Sequence, residues 1–420
     1  MKIALFVFES RDLNTYPSIV NTMQLLSEAG FEVDVFVPES MKTKLSFPKT
    51  KIHVVSSYQS TQYIQETVKA VLKEKYELAI AYFFEGLVVT AQLDMRHQVK
   101  LPTIYHSHEI IYHDLPDKFS EALSSPAKKG FYFLNKLISS TVSFKDTNKL
   151  LNYIQYQANT LKKAQLFTES WRYLEKEGAR LVTFSIVQDK YRAIDLHDEM
   201  PFLPKKTFLV PNSYLGFNSK PSKWAHKTFG IPSSKKILLY TGGFERGFDL
   251  SLVELAENLP DEYVMILSVY SRDGYLEEVE SRFKKLINSK KLFINKKNLN
   301  LKDYDLLVRS SQLGLVWRQK SSRSNRNSYW LGWSSGKLQM YLSRGKPVIA
   351  PSYVYKYNEF ITNNGLGFAI KDTGEILSTL KKIETKYQNF SKQVGSFYKS
   401  KLEYRKQFQP VLKEIIKITS

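Results

Sequence analysis

Ser334, Ser335, Gly336 and Lys337 set three small residues and a cation at the start of a helical pattern. That pattern runs through Leu338, Tyr341 and Leu342 and stops at Gly345. The first N–H groups of a helix lack intrahelical acceptors, and the helix dipole adds a positive field there. A lysine beside them makes a ready site for a diphosphate. Gly345 suits a helix C-terminus, Pro347 cannot continue the helix, and Pro347 to Ala350 reads as an apolar strand. A second candidate is the turn Thr241-Gly242-Gly243-Phe244-Glu245-Arg246-Gly247, between a strand pattern and a helix pattern. Glycines there let backbone approach a phosphate, and Arg246 can add a charge-assisted bond. Alone the turn is a weak signal, because an ordinary tight turn with a solvated arginine has the same composition. Its weight comes from pairing: Arg246 and Lys337 follow different strands of one half, where two cations can converge on one diphosphate.

These residues need a scaffold, and the chain provides one by alternation. Apolar runs at 3–8, 31–37, 52–55, 78–83 and 103–106 read as strands, separated by helical patterns at 18–29, 61–75 and 86–95. Residues 115–176 read as mainly helical, and further strands are expected at 180–185 and 208–212. Residues 213–234, rich in Ser, Pro, Lys and Gly, read as a linker. The alternation then resumes with strands at 236–240, 263–269, 291–294 and 313–317. Strand–helix alternation implies parallel sheets with crossover helices, hence an α/β fold of two Rossmann-like halves facing each other across a cleft. The expected division is a first domain over 1–212, a linker over 213–234, a second domain over 235–395 and a last helical segment over 396–420.

Bulk composition narrows the classes. A chain of 420 residues can bury two cores. It contains no cysteine, which excludes disulfides, thiolate metal sites and cysteine nucleophiles and fits a cytoplasmic setting. The opening run Ile3 to Phe8 is too short for a signal peptide's apolar core, and no run approaches a membrane span, so membrane contact would be peripheral. The net charge of +20 is uneven: residues 1–210 carry 26 basic and 23 acidic side chains, leaving 35 and 18 for the rest. The second half therefore faces polyanions such as a nucleotide diphosphate, an anionic glycan or lipid headgroups, or else carries a lysine-rich solvated surface. No nucleic-acid-binding module is present in the sequence, and none of that class is expected as partner.

Other groupings carry weaker readings. His106, His108, Glu109, His113 and Asp114 could be taken as a metal site, but their spacing matches no established ligand pattern. Arg318, Lys320, Arg323 and Arg326 interleave with Tyr329, Trp330 and Trp333. That composition suits a loop closing over a donor or acceptor, a partner contact, or a plain surface loop. Glu9, Arg11 and Asp12 follow the first strand and would face the cleft, where they could bond a ligand's hydroxyls, against the alternative of a solvated loop. Lysines from Lys381 to Lys417 alternate with apolar residues in the tail, giving a solvated helix face or a contact for anionic lipid.

Together the segments resemble retaining glycosyltransferases of the GT-B fold, of the family-4 type. Tyr240 to Gly247 is similar to that family's phosphate loop, Ser335-Gly336-Lys337-Leu338 to its small-x-Lys-Leu segment, and Gly345 to Ile349 to the following turn and strand. Tyr105-His106-Ser107-His108-Glu109 is similar to a Tyr-Asp-x-His-Glu segment of one subgroup, and Val210 to Ser213 to its Pro-Asn turn. The resemblance implies a cytoplasmic, metal-independent transferase without a cofactor. It would move a sugar from a nucleotide diphosphate, UDP by default, to a glycan, lipid-linked or protein acceptor with retention, in polysaccharide or glycoconjugate biosynthesis. It implies that Arg246 and Lys337 stabilise the departing diphosphate, that His108 contacts the donor sugar, and that Glu109 positions His108 or faces the acceptor. Gly242, Gly243, Gly247, Ser334, Ser335, Gly336 and Tyr341 would line the donor site, and the last helix would cross back onto the first domain. One position departs: relatives usually carry a glutamate three residues after the lysine, for the ribose, and here it is Met340. That departure motivates two alternatives, a GT-B-shaped binding or scaffold subunit without turnover, and a polyanion- or membrane-binding protein.

Overall fold

The computed structural model describes residues 1–8, 13–41, 45–55, 60–108, 174–244, 248–270, 275–297, 299–318, 331–354 and 356–420. Glu9, Arg11 and Asp12, and the helical stretch expected from 115 to 173, lie outside them.

The first sheet comprises β1 (Lys2–Phe6), β2 (Glu32–Pro38), β3 (Thr50–Val55), β4 (Leu78–Tyr82), β5 (Thr103–His106), β6 (Val182–Val187) and β7 (Thr207–Leu209). Its order is β3-β2-β1-β4-β5-β6-β7, every neighbour parallel. The second comprises β8 (Lys236–Gly243), β9 (Tyr263–Tyr270), β10 (Leu292–Asn295), β11 (Leu313–Leu315), β12 (Val348–Pro351) and β13 (Gly367–Ile370). Its order is β10-β9-β8-β11-β12-β13, again all parallel. Parallel strands are covered by helices on both faces, which is why they read as unbroken apolar runs. In β1, Ile3 and Leu5 enter one core cluster while Ala4 and Phe6 enter another. In β8, Leu238 and Tyr240 part from Ile237 and Leu239 in the same way. Strand order reverses between β1 and β4 and between β8 and β11, and the carboxyl ends at such reversals are where α/β sheets hold ligands.

Three features depart from the sequence reading. β13 is an added edge strand, disguised by Gly365 and Gly367. A Cβ on Gly367 would lie 1.9 Å from the Val348 carbonyl oxygen, so glycine is what admits this strand against β12. The expected linker contains a short helix, Trp224–Phe229, closed by Gly230 at φ +65. The tail folds as helices Ile376–Thr385 and Tyr387–Phe397, a π-turn at Tyr398–Leu402, and a final helix Tyr404–Thr419.

That final helix crosses back onto the first domain. Tyr404, Phe408, Val411 and Ile415 are buried in the same cluster as Ile3, Leu5 and Ile19. The crossing runs beside the linker: the Tyr398 hydroxyl donates to the Tyr214 carbonyl at 2.6 Å, and Gly216 N–H donates to the Glu403 carboxylate at 3.0 Å. The Glu403 carboxylate also caps the new helix, accepting from Lys406 N–H at 2.8 Å.

Candidate functional site at the junction of the two domains

Lys337 stands in the first turn of the helix Gly336–Ser343, the crossover from β11 to β12. Its neighbours enter it into the helix in a defined way. Ser335 is the N-cap, with its hydroxyl facing Leu338 N–H, and the Ser335 carbonyl accepts from Gln339 N–H at 3.0 Å. The side chain then crosses to the end of β8. Its Nζ lies 4.2 Å from the centre of the Tyr240 ring. A Cβ on Gly242 would fall 2.7 Å from both Cε and Nζ of Lys337, and Gly242 has φ +128. Glycine at 242 thus serves the lysine as well as the turn, because any side chain there would displace the ammonium. Tyr240 fixes the turn by donating its hydroxyl to the Gly243 carbonyl at 3.0 Å. Burial first, and then the charge of Arg318, lower the Lys337 pKa to about 7.

Tyr341 is corrected from a ligand contact to a seat for this helix. It is wholly buried, and its hydroxyl donates to the Leu239 carbonyl at 2.9 Å. A Cβ on Gly314 would strike its ring at 2.4 Å, so Gly314 makes room for it on β11. Met340 is also core, 1% exposed, and packs with Leu338, Leu239 and Val348. Trp333, read as part of a binding loop, packs edge-on against Phe360 at 5.0 Å. Residues 331–334 form a short helix instead of loop.

The first domain supplies the opposite wall. His108 follows β5, and its Nε2 lies 2.9 Å from the Ser18 hydroxyl, in the first turn of the helix Pro17–Glu28. Arg192 Nη1 donates to the His108 carbonyl at 2.7 Å. His106, Phe83 and His108 stack, at 5.0 Å for the histidine pair and 5.5 Å for Phe83 with His108. Burial and then His108 push the His106 pKa well below the usual histidine range, so His106 is a neutral ring. Sequence reading missed Ser18 and Arg192, which lie 90 and 84 residues from His108 along the chain. No local pattern signals them.

The two walls meet at helix starts. A Cβ on Gly336 would lie 3.6 Å from Asn212 Nδ2 and 3.8 Å from Pro17 Cγ. Asn212 joins the halves, its backbone N–H donating to the Trp333 carbonyl and its amide to the Ser334 carbonyl, each at 3.0 Å. The helices at Pro17 and Gly336 therefore both begin at this junction, beside Lys337 and with His108 on the far wall. Such an arrangement can hold an anionic group against Lys337 and an uncharged group against His108. Glu109, Arg246 and Gly247 lie outside the described residues, as do His113, Asp114, Lys320, Arg323, Arg326, Tyr329 and Trp330. Among the described residues, no three His, Asp or Glu side chains are grouped to hold a metal ion.

Two facing doubly wound sheets and a last helix that returns to the first domain define the GT-B fold of glycosyltransferases. Comparison with solved structures gives the same fold. HepE of Anabaena, solved with UDP and glucose, superposes with a TM-score of 0.61 at 13% identity, covering 99% of this chain and 100% of that one. Sucrose-phosphate synthase of Thermosynechococcus elongatus gives 0.59 at 13%, covering 99% of each. WaaG, a glycosyltransferase involved in lipopolysaccharide biosynthesis, gives 0.58 at 11%, covering 97% and 98%. In sequence, residues 283–409 match the family model "Glucosyltransferase 3-like, C-terminal domain". A stretch of 98 residues is 36% identical to glucosyltransferase 3 of Streptococcus parasanguinis, taking in 23% of this chain and 28% of that protein. The family match includes the lysine helix. No helix among the described residues is long and apolar enough to cross a membrane.

Proposed function

We propose that this protein is a glycosyltransferase that moves glucose from UDP-glucose to an acceptor hydroxyl, with retention at the anomeric carbon. The observation that carries the proposal is Lys337 laid across Gly242 at the start of a helix, which sets a cation beside a helix N-terminus. The glucosyltransferase to which part of the chain is similar, and the UDP and glucose bound by HepE, favour the nucleotide and the sugar. In the reaction the bond between the anomeric carbon and the diphosphate oxygen breaks, and negative charge grows on the leaving phosphate. Lys337 and the helix N-terminus stabilise that charge, and Arg246 adds to it. The acceptor hydroxyl bonds to the same face of the anomeric carbon, and its proton passes to the departing diphosphate. His108 holds the donor sugar from the opposite wall, and Glu109 orients His108 or the acceptor. The acceptor is a glycan, a lipid-linked saccharide or a protein, which places the reaction in polysaccharide or glycoconjugate assembly.

The test is thermal stability of the purified protein with UDP-, GDP-, ADP- and dTDP-glucose, followed by a transfer assay. A ligand that binds only the folded state must raise the melting temperature. UDP-glucose is expected to give the largest rise, and Lys337→Ala to weaken its binding by about 10–100-fold, the worth of a charge-assisted bond. Absence of a shift with every nucleotide sugar would replace this reading with that of a subunit without turnover.

A further inference from the structure

The helices Ser60–Val71 and Phe83–His97 end on the same side of the first sheet, where the chain turns back into β4 and β5. This is the amino end of those strands, opposite the edge that carries His108. Three large apolar side chains stand out there: Leu72 at 41%, Met95 at 49% and Val99 at 38% exposed. Leu72 and Val99 line one shallow hollow with Val71, Tyr76 and Leu101. Met95 lies in the last turn of its helix, four residues before Val99, which follows the helix end at Gln98. Around them Lys69, Lys73, Lys75, Arg96 and Lys100 are all exposed. Of the nearby acids, Glu74 and Glu77 are engaged by Lys2, whose Nζ bonds Glu74 at 3.2 Å and whose backbone N–H bonds Glu77 at 2.5 Å, and Asp94 stands beside Met95 and Arg96. An apolar centre ringed by cations that outnumber the nearby acids matches a surface with an apolar interior and an anionic skin.

We propose that this end of the first domain docks on an anionic lipid bilayer, with Leu72, Met95 and Val99 entering the interface and the five cations lying among headgroups. Each cation near such a surface contributes favourably, and the apolar side chains make the contact persist in salt. Docking in this pose keeps the cleft about one strand length, ~17 Å, above the headgroups. An acceptor must then reach the site from the aqueous side.

A charged protein binds anionic vesicles through many surfaces, so the test must locate the contact. The chain has no cysteine, so a single introduced one carries a polarity-sensitive fluorophore uniquely. The label goes on Met95→Cys and, as a control, on Lys392→Cys, an exposed lysine of the second domain. Vesicles of phosphatidylcholine with phosphatidylglycerol should shift the Met95→Cys label to the blue and leave the control unmoved, and phosphatidylcholine alone should move neither. Lys73→Glu with Lys100→Glu, and separately Leu72→Asn with Val99→Asn, should each weaken vesicle binding about tenfold or more. Both pairs should leave the thermal shift with UDP-glucose unchanged, which also reports that they fold. Equal shifts at both labels, or vesicle binding unaffected by either pair, would overturn the proposal. So would a Met95→Cys shift that follows protein concentration without lipid, which would assign the face to a second copy of the chain.

Discussion

Lys337 can hold a diphosphate only as an ammonium, yet burial and Arg318 lower its pKa to about 7 in the free protein. Below that pH the cation is already formed. Above it, binding must draw in a proton, so the apparent affinity for UDP-glucose should fall by up to about tenfold per pH unit from about pH 7. The diphosphate of UDP-glucose is a diester and does not titrate in this range, which isolates the lysine. Calorimetric titrations in buffers of different ionisation enthalpy should show proton uptake, and Lys337→Met should abolish it while weakening binding. An affinity that stays flat as pH rises would show the ammonium to be charged throughout. Gly242 belongs to the same argument, since its missing side chain is the space the ammonium occupies.

At the scale of the element, the helix Gly336–Ser343 is pinned at both ends. Ser335 caps its start, and Gly345 at φ +68 turns the chain into β12. Lys346 follows that turn, only 5% exposed, and burial first and then Arg309 lower its pKa from the ordinary lysine value of 10.5 to about 8. Between those two values the unfolded chain binds more protons than the folded one, so this group makes stability rise with pH there. Its full penalty stands below about pH 8. Lys346→Met keeps the aliphatic stem and removes the charge. It should stabilise the fold by about 1–3 kcal/mol near neutrality and flatten that part of the pH profile, as read by urea unfolding. Greater loss of stability than in wild type would mean that Lys346 finds compensating bonds.

Across the whole molecule, the last helix holds the first domain's wall in place. The Tyr404 hydroxyl lies 2.8 Å from the Thr22 hydroxyl and donates to the Ser18 carbonyl at 3.0 Å, while the Ser18 hydroxyl meets His108. Lys337, the proposed phosphate contact, sits on the other domain. Tyr404→Phe should therefore cost about 1 kcal/mol of stability. It should also lower the rate of sugar transfer several-fold while leaving UDP-glucose affinity within twofold, about the spread expected of remote changes. Equal losses in both would place His108 outside the chemistry. The halves also touch at Tyr191, whose hydroxyl reaches Glu359 at 3.4 Å and whose ring lies 4.6 Å from Lys356 Nζ. Contacts this exposed contribute little to stability and suit a cleft that opens.

The amino-acid sequence alone determined the parallel α/β character, the lysine helix with its stop at Gly345, and the existence of two halves. Each of those rests on local periodicity, turn chemistry or a run buried on both faces, and local preferences are written in neighbouring residues. The same reasoning did not foresee β13, because glycine signals a turn when only its own neighbours are considered, and the close approach of Val348 is invisible at that range. Only the tertiary structure decided that Met340 and Tyr341 turn into the core, that Gly242 yields its space to Lys337, and that Ser18 bonds His108. Asn212 with Ser334 and Tyr404 with Ser18 join residues 122 and 386 apart in the chain. Such pairs are selected by the packing of two whole domains and a returning helix, a property of the assembled core that no window of sequence contains.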